Sequence, residues 1–169
     1  SVLMVPGFLG RILLRYLSET MVSVIDVASY ILQQRGSMTT MKLQKLCYYS
    51  QAWNLAWDEK PLFHEPIQAW ANGPVVYALF ERHRGKFVVE QDDIAGNPEA
   101  LDRDERETID AVLDAYGHLT GQQLSDITHS ERPWKVARGE VSEGEYCSEV
   151  IDLDIMQDYY GGLDSAAAS

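Results

Sequence analysis

Thr39-Thr40-Met41-Lys42-Leu43-Gln44-Lys45-Leu46-Cys47-Tyr48-Tyr49-Ser50-Gln51-Ala52-Trp53 is the stretch whose reading decides the fold. Leu43, Leu46, Cys47, Ser50, Trp53 and, further on, Trp57 recur at helical spacing and line one face. Lys42, Gln44, Lys45 and Tyr48 fall off that stripe. Thr40 is placed to act as the N-cap, its hydroxyl answering one of the orphan N–H groups at a helix start. This pattern predicts a long amphipathic helix.

Working outward, Ser23 and Asp26 form a capping-box pair ahead of Val24, Val27, Ala28 and Ile31, and Gly36 supplies the stop. Residues 1–20 read as one short amphipathic extension, with Phe8, Leu9, Ile12, Leu13, Tyr16 and Leu17 on one side, packing on the domain or preceding a start at Met21. On the other flank, Ile67–Ala71 alternates like a short strand. Asn72-Gly73-Pro74 ends it and opens a helix with proline in its first turn. Lys86–Glu90 offers the second strand of a small hairpin-like pair, and Gln91–Asp102 reads as a loop. Helices are predicted over Asp104–Tyr116 and from the Thr120/Gln123 capping box to a stop at or before Arg132, ahead of Pro133. A last helix over Val150–Tyr160 is predicted to end at Gly161-Gly162, leaving 161–169 as a flexible tail. The expectation is a mainly α, compact multi-helix single domain with one small two-stranded β element, its core unit spanning 21–160.

At 169 residues, 46% hydrophobic and 24% charged, the chain fits one domain with a real core. No window approaches the roughly 18 uninterrupted apolar residues of a membrane helix, so no membrane partner is expected. The net charge of −12 is lopsided: residues 90–169 hold twenty acidic residues against five basic ones. Binding nucleic acid directly would require cations against phosphate, so this half argues against it and suits a basic partner or serves only solubility. Cys47 and Cys147 are isolated thiols, in keeping with a reducing, cytoplasmic setting.

His64, His83, His118 and His129 lack metal-ligand spacing, and no phosphate-binding glycine loop or nucleophile elbow is present. The chain is therefore expected to be no enzyme and to need no cofactor or metal. Two segments merit weighing. Thr128-His129-Ser130-Glu131-Arg132-Pro133-Trp134 reads either as a rigid helix-end surface whose Trp134 anchors a partner, or as a helix C-terminus where His129 meets the last carbonyls while Trp134 plugs the core. Trp70–Pro74 reads either as a helix start that receives an anion, or as a tight turn.

Three segments taken in order resemble the Panacea domain antitoxin family, which includes SocA-like and phage-associated GepA-like proteins. They are Thr39–Trp53, with Cys47 where a leucine is usual; Ile67–Val76, carrying Ala69-Trp70 and Gly73-Pro74-Val75-Val76; and Leu124-Ser125 with Thr128-His129 and Pro133-Trp134. The resemblance implies an antitoxin that neutralises a cognate protein toxin, such as a nucleotide- or tRNA-modifying enzyme, by direct contact. It also admits a proteolytic adaptor for a AAA+ protease and, less well given the acidity, a promoter-binding regulator. A homo-oligomer is left open. The residues matching or adjoining these motifs, Lys45, Tyr48, Trp70, Asn72, Gly73, Pro74, Tyr77, His129 and Trp134, are the candidate partner-binding set. The acidic residues in 99–114 are the candidates for steering a basic toxin.

Overall fold

The computed structural model describes residues 22–168. The extension at 1–20 and its helix lie outside the described residues. Within them the architecture is mainly α, as expected: eight α-helices, one short 3₁₀ turn and two antiparallel two-stranded pairs.

Helix α1 (Val24–Arg35) starts at the Ser23/Asp26 capping box and stops at Gly36, whose φ of 76° suits glycine. Glu65 reinforces that start from a distant loop, accepting from Ser23 Oγ (2.7 Å) and Val24 N (3.1 Å). Helix α2 (Thr40–Asp58) is capped by Thr39, one residue earlier than its spacing suggested, through Thr39 Oγ1 accepting from Lys42 N. It is not a one-faced helix. Gln44, Lys45, Tyr48, Tyr49 and Gln51 are buried along with the apolar stripe, because α2 runs through the middle of the molecule. Trp57, expected on the inner face, is 42% exposed near the helix end.

The hairpin corrects the sequence reading most. Strand β2 (Ile67–Trp70) turns through Ala71-Asn72 directly into β3 (Gly73–Val76), with Ala69 opposite Pro74 and Trp70 opposite Gly73. Gly73-Pro74 therefore opens a strand, not a helix. A hairpin edge tolerates proline because no further strand needs the missing N–H on that side, and Gly73 takes a φ of 113°. Helix α3 (Tyr77–His83) begins only after Val76. Val88-Val89 forms a strand, β4, but its partner is Met38-Thr39, β1, just ahead of α2.

The expected loop at 91–102 contains a turn of helix, α4 (Gln91–Ile94), and a 3₁₀ turn at Pro98–Ala100. Helix α5 (Arg103–Tyr116) turns Ile109, Val112 and Leu113 inward from an Asp102/Glu105 capping box. Helix α6 (Gly121–His129) starts at the Thr120/Gln123 box, and Pro133 sits in the first turn of α7 (Arg132–Arg138). Helix α8 (Leu153–Ala168) does not stop at Gly161-Gly162, and the expected tail 161–168 continues it. Met156 and Tyr160 anchor α8 against α2, and that packing carries the helix past two glycines whose own propensity disfavours it, into three alanines that favour it.

Across the core, Glu131 Oε1 accepts from Tyr49 OH (2.7 Å) and Tyr160 OH (2.9 Å), and the Tyr48 and Tyr160 hydroxyls lie 3.1 Å apart. One carboxylate thus joins α2, α7 and α8. Burial holds its carboxyl above the ordinary value, opposed by the two tyrosine hydroxyls.

A Cβ added at Gly161 or Gly162 would meet nothing within 4 Å. Gly161→Ala and Gly162→Ala are therefore expected to raise stability by about 0.5–1 kcal/mol each. Thermal or urea unfolding checks this, and an unchanged or lowered midpoint would place the helix end before residue 161.

Candidate functional site

The three segments that carry the family resemblance meet at the hairpin. The helices grip its main chain. Gln44 of α2 accepts from Val76 N (2.8 Å) and donates to Val76 O (3.2 Å). Ser125 of α6 donates to Asn72 O (2.6 Å), Trp134 Nε1 of α7 donates to Trp70 O (2.9 Å), and Arg138 Nη1 donates to Ala69 O (3.0 Å). Thr128, whose hydroxyl donates to Ser125 O, packs beside Gly73. A short hairpin is marginal alone, and these bonds fix its turn in place.

His129 ends α6 and stacks on Trp134, ring centroids 4.2 Å apart, while Arg138 lies 4.9 Å over the same indole. Trp134 is 6% exposed, so it fills the core as one reading of its segment had it, and it also holds the hairpin. The His129 Nε2 atom is buried without a hydrogen-bond partner among the described residues. Burial pulls the imidazole below its ordinary value, against the pull of Glu143 and Asp126. Arg138 also donates to Ser142 O and Glu145 O (2.8 Å each), closing the segment after α7. Beyond it, Ala69 N donates to Glu149 O and Ile151 N to Ile67 O (2.8 Å each), so residues 149–151 run along the outer edge of β2.

Lys45 lies beside this bonded frame without joining it. It is 2% exposed and has no hydrogen-bond or ion-pair partner among the described residues. A Cβ at Gly73 would sit 2.6 Å from Lys45 Cε, so the glycine is what leaves room for the lysine. Burial pushes its ammonium down to about 7 from an ordinary 10.5.

The candidate residues therefore divide. Asn72 and Tyr77 are exposed, and Trp70 and His129 half-buried. Gly73 and Pro74 are buried in the hairpin. Lys45, Tyr48 and Trp134 are core side chains, which corrects their placement as contact residues: a partner cannot touch what the fold has covered. Ser125, Arg138 and Tyr146 were absent from the candidate set. Arg138 had a signal, its four-residue spacing from Trp134 on one helix face. Tyr146, 81% exposed, had none.

Fold and site together define a helical scaffold that holds out a β-hairpin and half-exposed aromatic side chains around it. Residues 43–135 match the antitoxin SocA-like, Panacea domain family, and the chain belongs to it. Over 126 residues it is 29% identical to the protein named Antitoxin SocA of Caulobacter vibrioides (strain NA1000 / CB15N), covering 65% of this chain and 67% of that one. Membership of this family supports an antitoxin role. No solved structure matches the chain. No helix among the described residues is long and apolar enough to cross a membrane.

Lys45 generates a test of what the niche costs. Because its folded value lies below 10.5, the unfolded chain binds more protons than the folded one above about pH 7, and stability from this group rises with pH across that window. Lys45→Met is expected to stabilise the fold at pH 7 and to remove a slope of up to about 1.4 kcal/mol per pH unit between pH 7 and 9. Urea unfolding at several pH values reads this, and a less stable variant with the same slope would mean the ammonium is compensated.

Proposed function

We propose that the chain neutralises a cognate protein toxin by binding it directly, acting through contact and not catalysis. The observation that carries this reading is the division of labour at the hairpin. Its backbone is tied to α2, α6 and α7, while Asn72 and Tyr77 face outward beside half-buried Trp70. Trp70, Tyr77 and Phe80 form a cluster of rings, with Trp70–Phe80 at 5.0 Å and Tyr77–Phe80 at 5.7 Å. Rigid aromatics at a fixed surface offer contact area at little entropic cost, which suits protein recognition.

Co-expression with the product of the adjacent gene tests the reading. A gene product that is toxic alone, with growth restored and a complex recovered when this chain is present, is the expected result. A toxic neighbour that this chain neither rescues nor binds would defeat direct neutralisation.

A further inference from the structure

Beyond α7 the chain wraps the outer side of the hairpin as a strap, residues 139–152, before entering α8. No lysine or arginine follows Arg138 anywhere in the sequence, and the strap's charged residues are Glu140, Glu143, Glu145, Glu149 and Asp152. Its main chain is fixed to β2 and to Arg138, so its course is set. The side chains of Glu140, Glu145 and Glu149 are exposed and have no ion-pair partner among the described residues.

The acidic residues in 99–114, where the sequence placed the steering charge, are mostly engaged. Glu99 pairs with Arg106 (3.3 Å), Glu107 with Arg103 (3.0 Å) and Asp114 with Arg35 (3.4 Å). Asp110 accepts from Tyr30 OH (2.7 Å), and Asp102 and Glu105 are taken up in the capping box of α5. The strap is thus one stretch whose exposed carboxylates, Glu140, Glu145 and Glu149, have no cation beside them among the described residues.

That same strap carries apolar surface. Tyr146 is 81% exposed and Val150 55%. Between strap and hairpin lies a cleft of about 310 Å³ lined by Trp70, Ala71, Asn72, Val75, Tyr146 and Cys147. An apolar cleft whose lining residues Tyr146 and Cys147 lie between Glu145 and Glu149 in the chain disfavours phosphate-rich polymers and anionic lipid, and suits a protein face bearing lysine and arginine around a projecting apolar side chain. We infer that the strap and this cleft are the docking surface for a basic face of the toxin, one apolar side chain of which seats between Tyr146 and Trp70. The inference rests on the toxin-binding reading above and adds to it the surface used and the partner's chemistry.

Binding kinetics of the purified chain against the purified product of the adjacent gene test it. Three variants are compared with the unaltered chain: Tyr146→Ala, the pair Glu145→Lys with Glu149→Lys, and the pair Asp104→Lys with Glu107→Lys, which makes the same change in net charge on α5. Tyr146→Ala is expected to weaken binding about tenfold or more, mainly through faster dissociation. The strap pair is expected to slow association about tenfold at low salt and much less at high salt, with the α5 pair within about twofold. All three lie at exposed positions, and matching thermal melts establish that the fold is kept. Strap variants that bind as the unaltered chain does, or an α5 pair that slows association equally, would overturn the inference while leaving direct neutralisation standing. An unaltered chain that does not bind at all overturns both.

Discussion

Three side-chain amides on one helix set the arrangement of the segments around it. Gln44 grips Val76 by N and O, Gln51 takes Leu62 N (2.6 Å) and Phe63 O (2.7 Å), and Asn54 takes Lys60 O (2.9 Å). Apolar burial pulls segments together without direction. A buried amide gains only if its partner stands in one place, and leaving it unpaired costs about 1–3 kcal/mol. The loop after α2 and the hairpin beyond it are thereby committed to a single path, and with α5, α6 and α8 they cover the middle of α2 on every side.

The second half of the chain completes this arrangement. Glu131 gathers the tyrosines of α2 and α8, while Ser125, Trp134 and Arg138 answer the carbonyls of the hairpin. Residues far apart in sequence converge on a few main-chain atoms, which explains why the motifs sit in one region and yet contribute few exposed side chains. Lys45, like His129 Nε2, has no hydrogen-bond partner among the described residues, and burial lowers its ammonium toward neutrality.

Local chemistry made much of this legible. The capping boxes at Ser23 and Thr120 and the stop at Gly36 follow from orphan N–H groups and permitted φ values, which are properties of a few neighbouring residues. Failures came where distance decided. Pro74 looks like a helix opener until the turn at Ala71-Asn72 returns the chain along β2. Gly161-Gly162 reads as a terminator until Tyr160, held by Glu131, sets the helix in register with α2. Lys45 and Tyr48 read as surface residues because an amphipathic stripe assumes a single buried face, and α2 has none left open. The family motifs converge on one region, the hairpin and the helices that grip it. They could not separate residues that hold the hairpin from those that meet solvent, since that depends on where each side chain ends.

The hairpin is held by its carbonyl and amide groups, and every residue type supplies a carbonyl. Outward side chains such as Asn72 and Tyr77 take no part in that grip, so replacing them leaves the anchoring bonds intact. The inward partners have no such latitude: Ser125, Trp134 and Arg138 each depend on a particular donor at a particular reach. The molecule thus separates a part under heavy constraint from a part that can vary, within a few residues of each other. Single substitutions at the tip can therefore change the exposed surface without the scaffold being rebuilt.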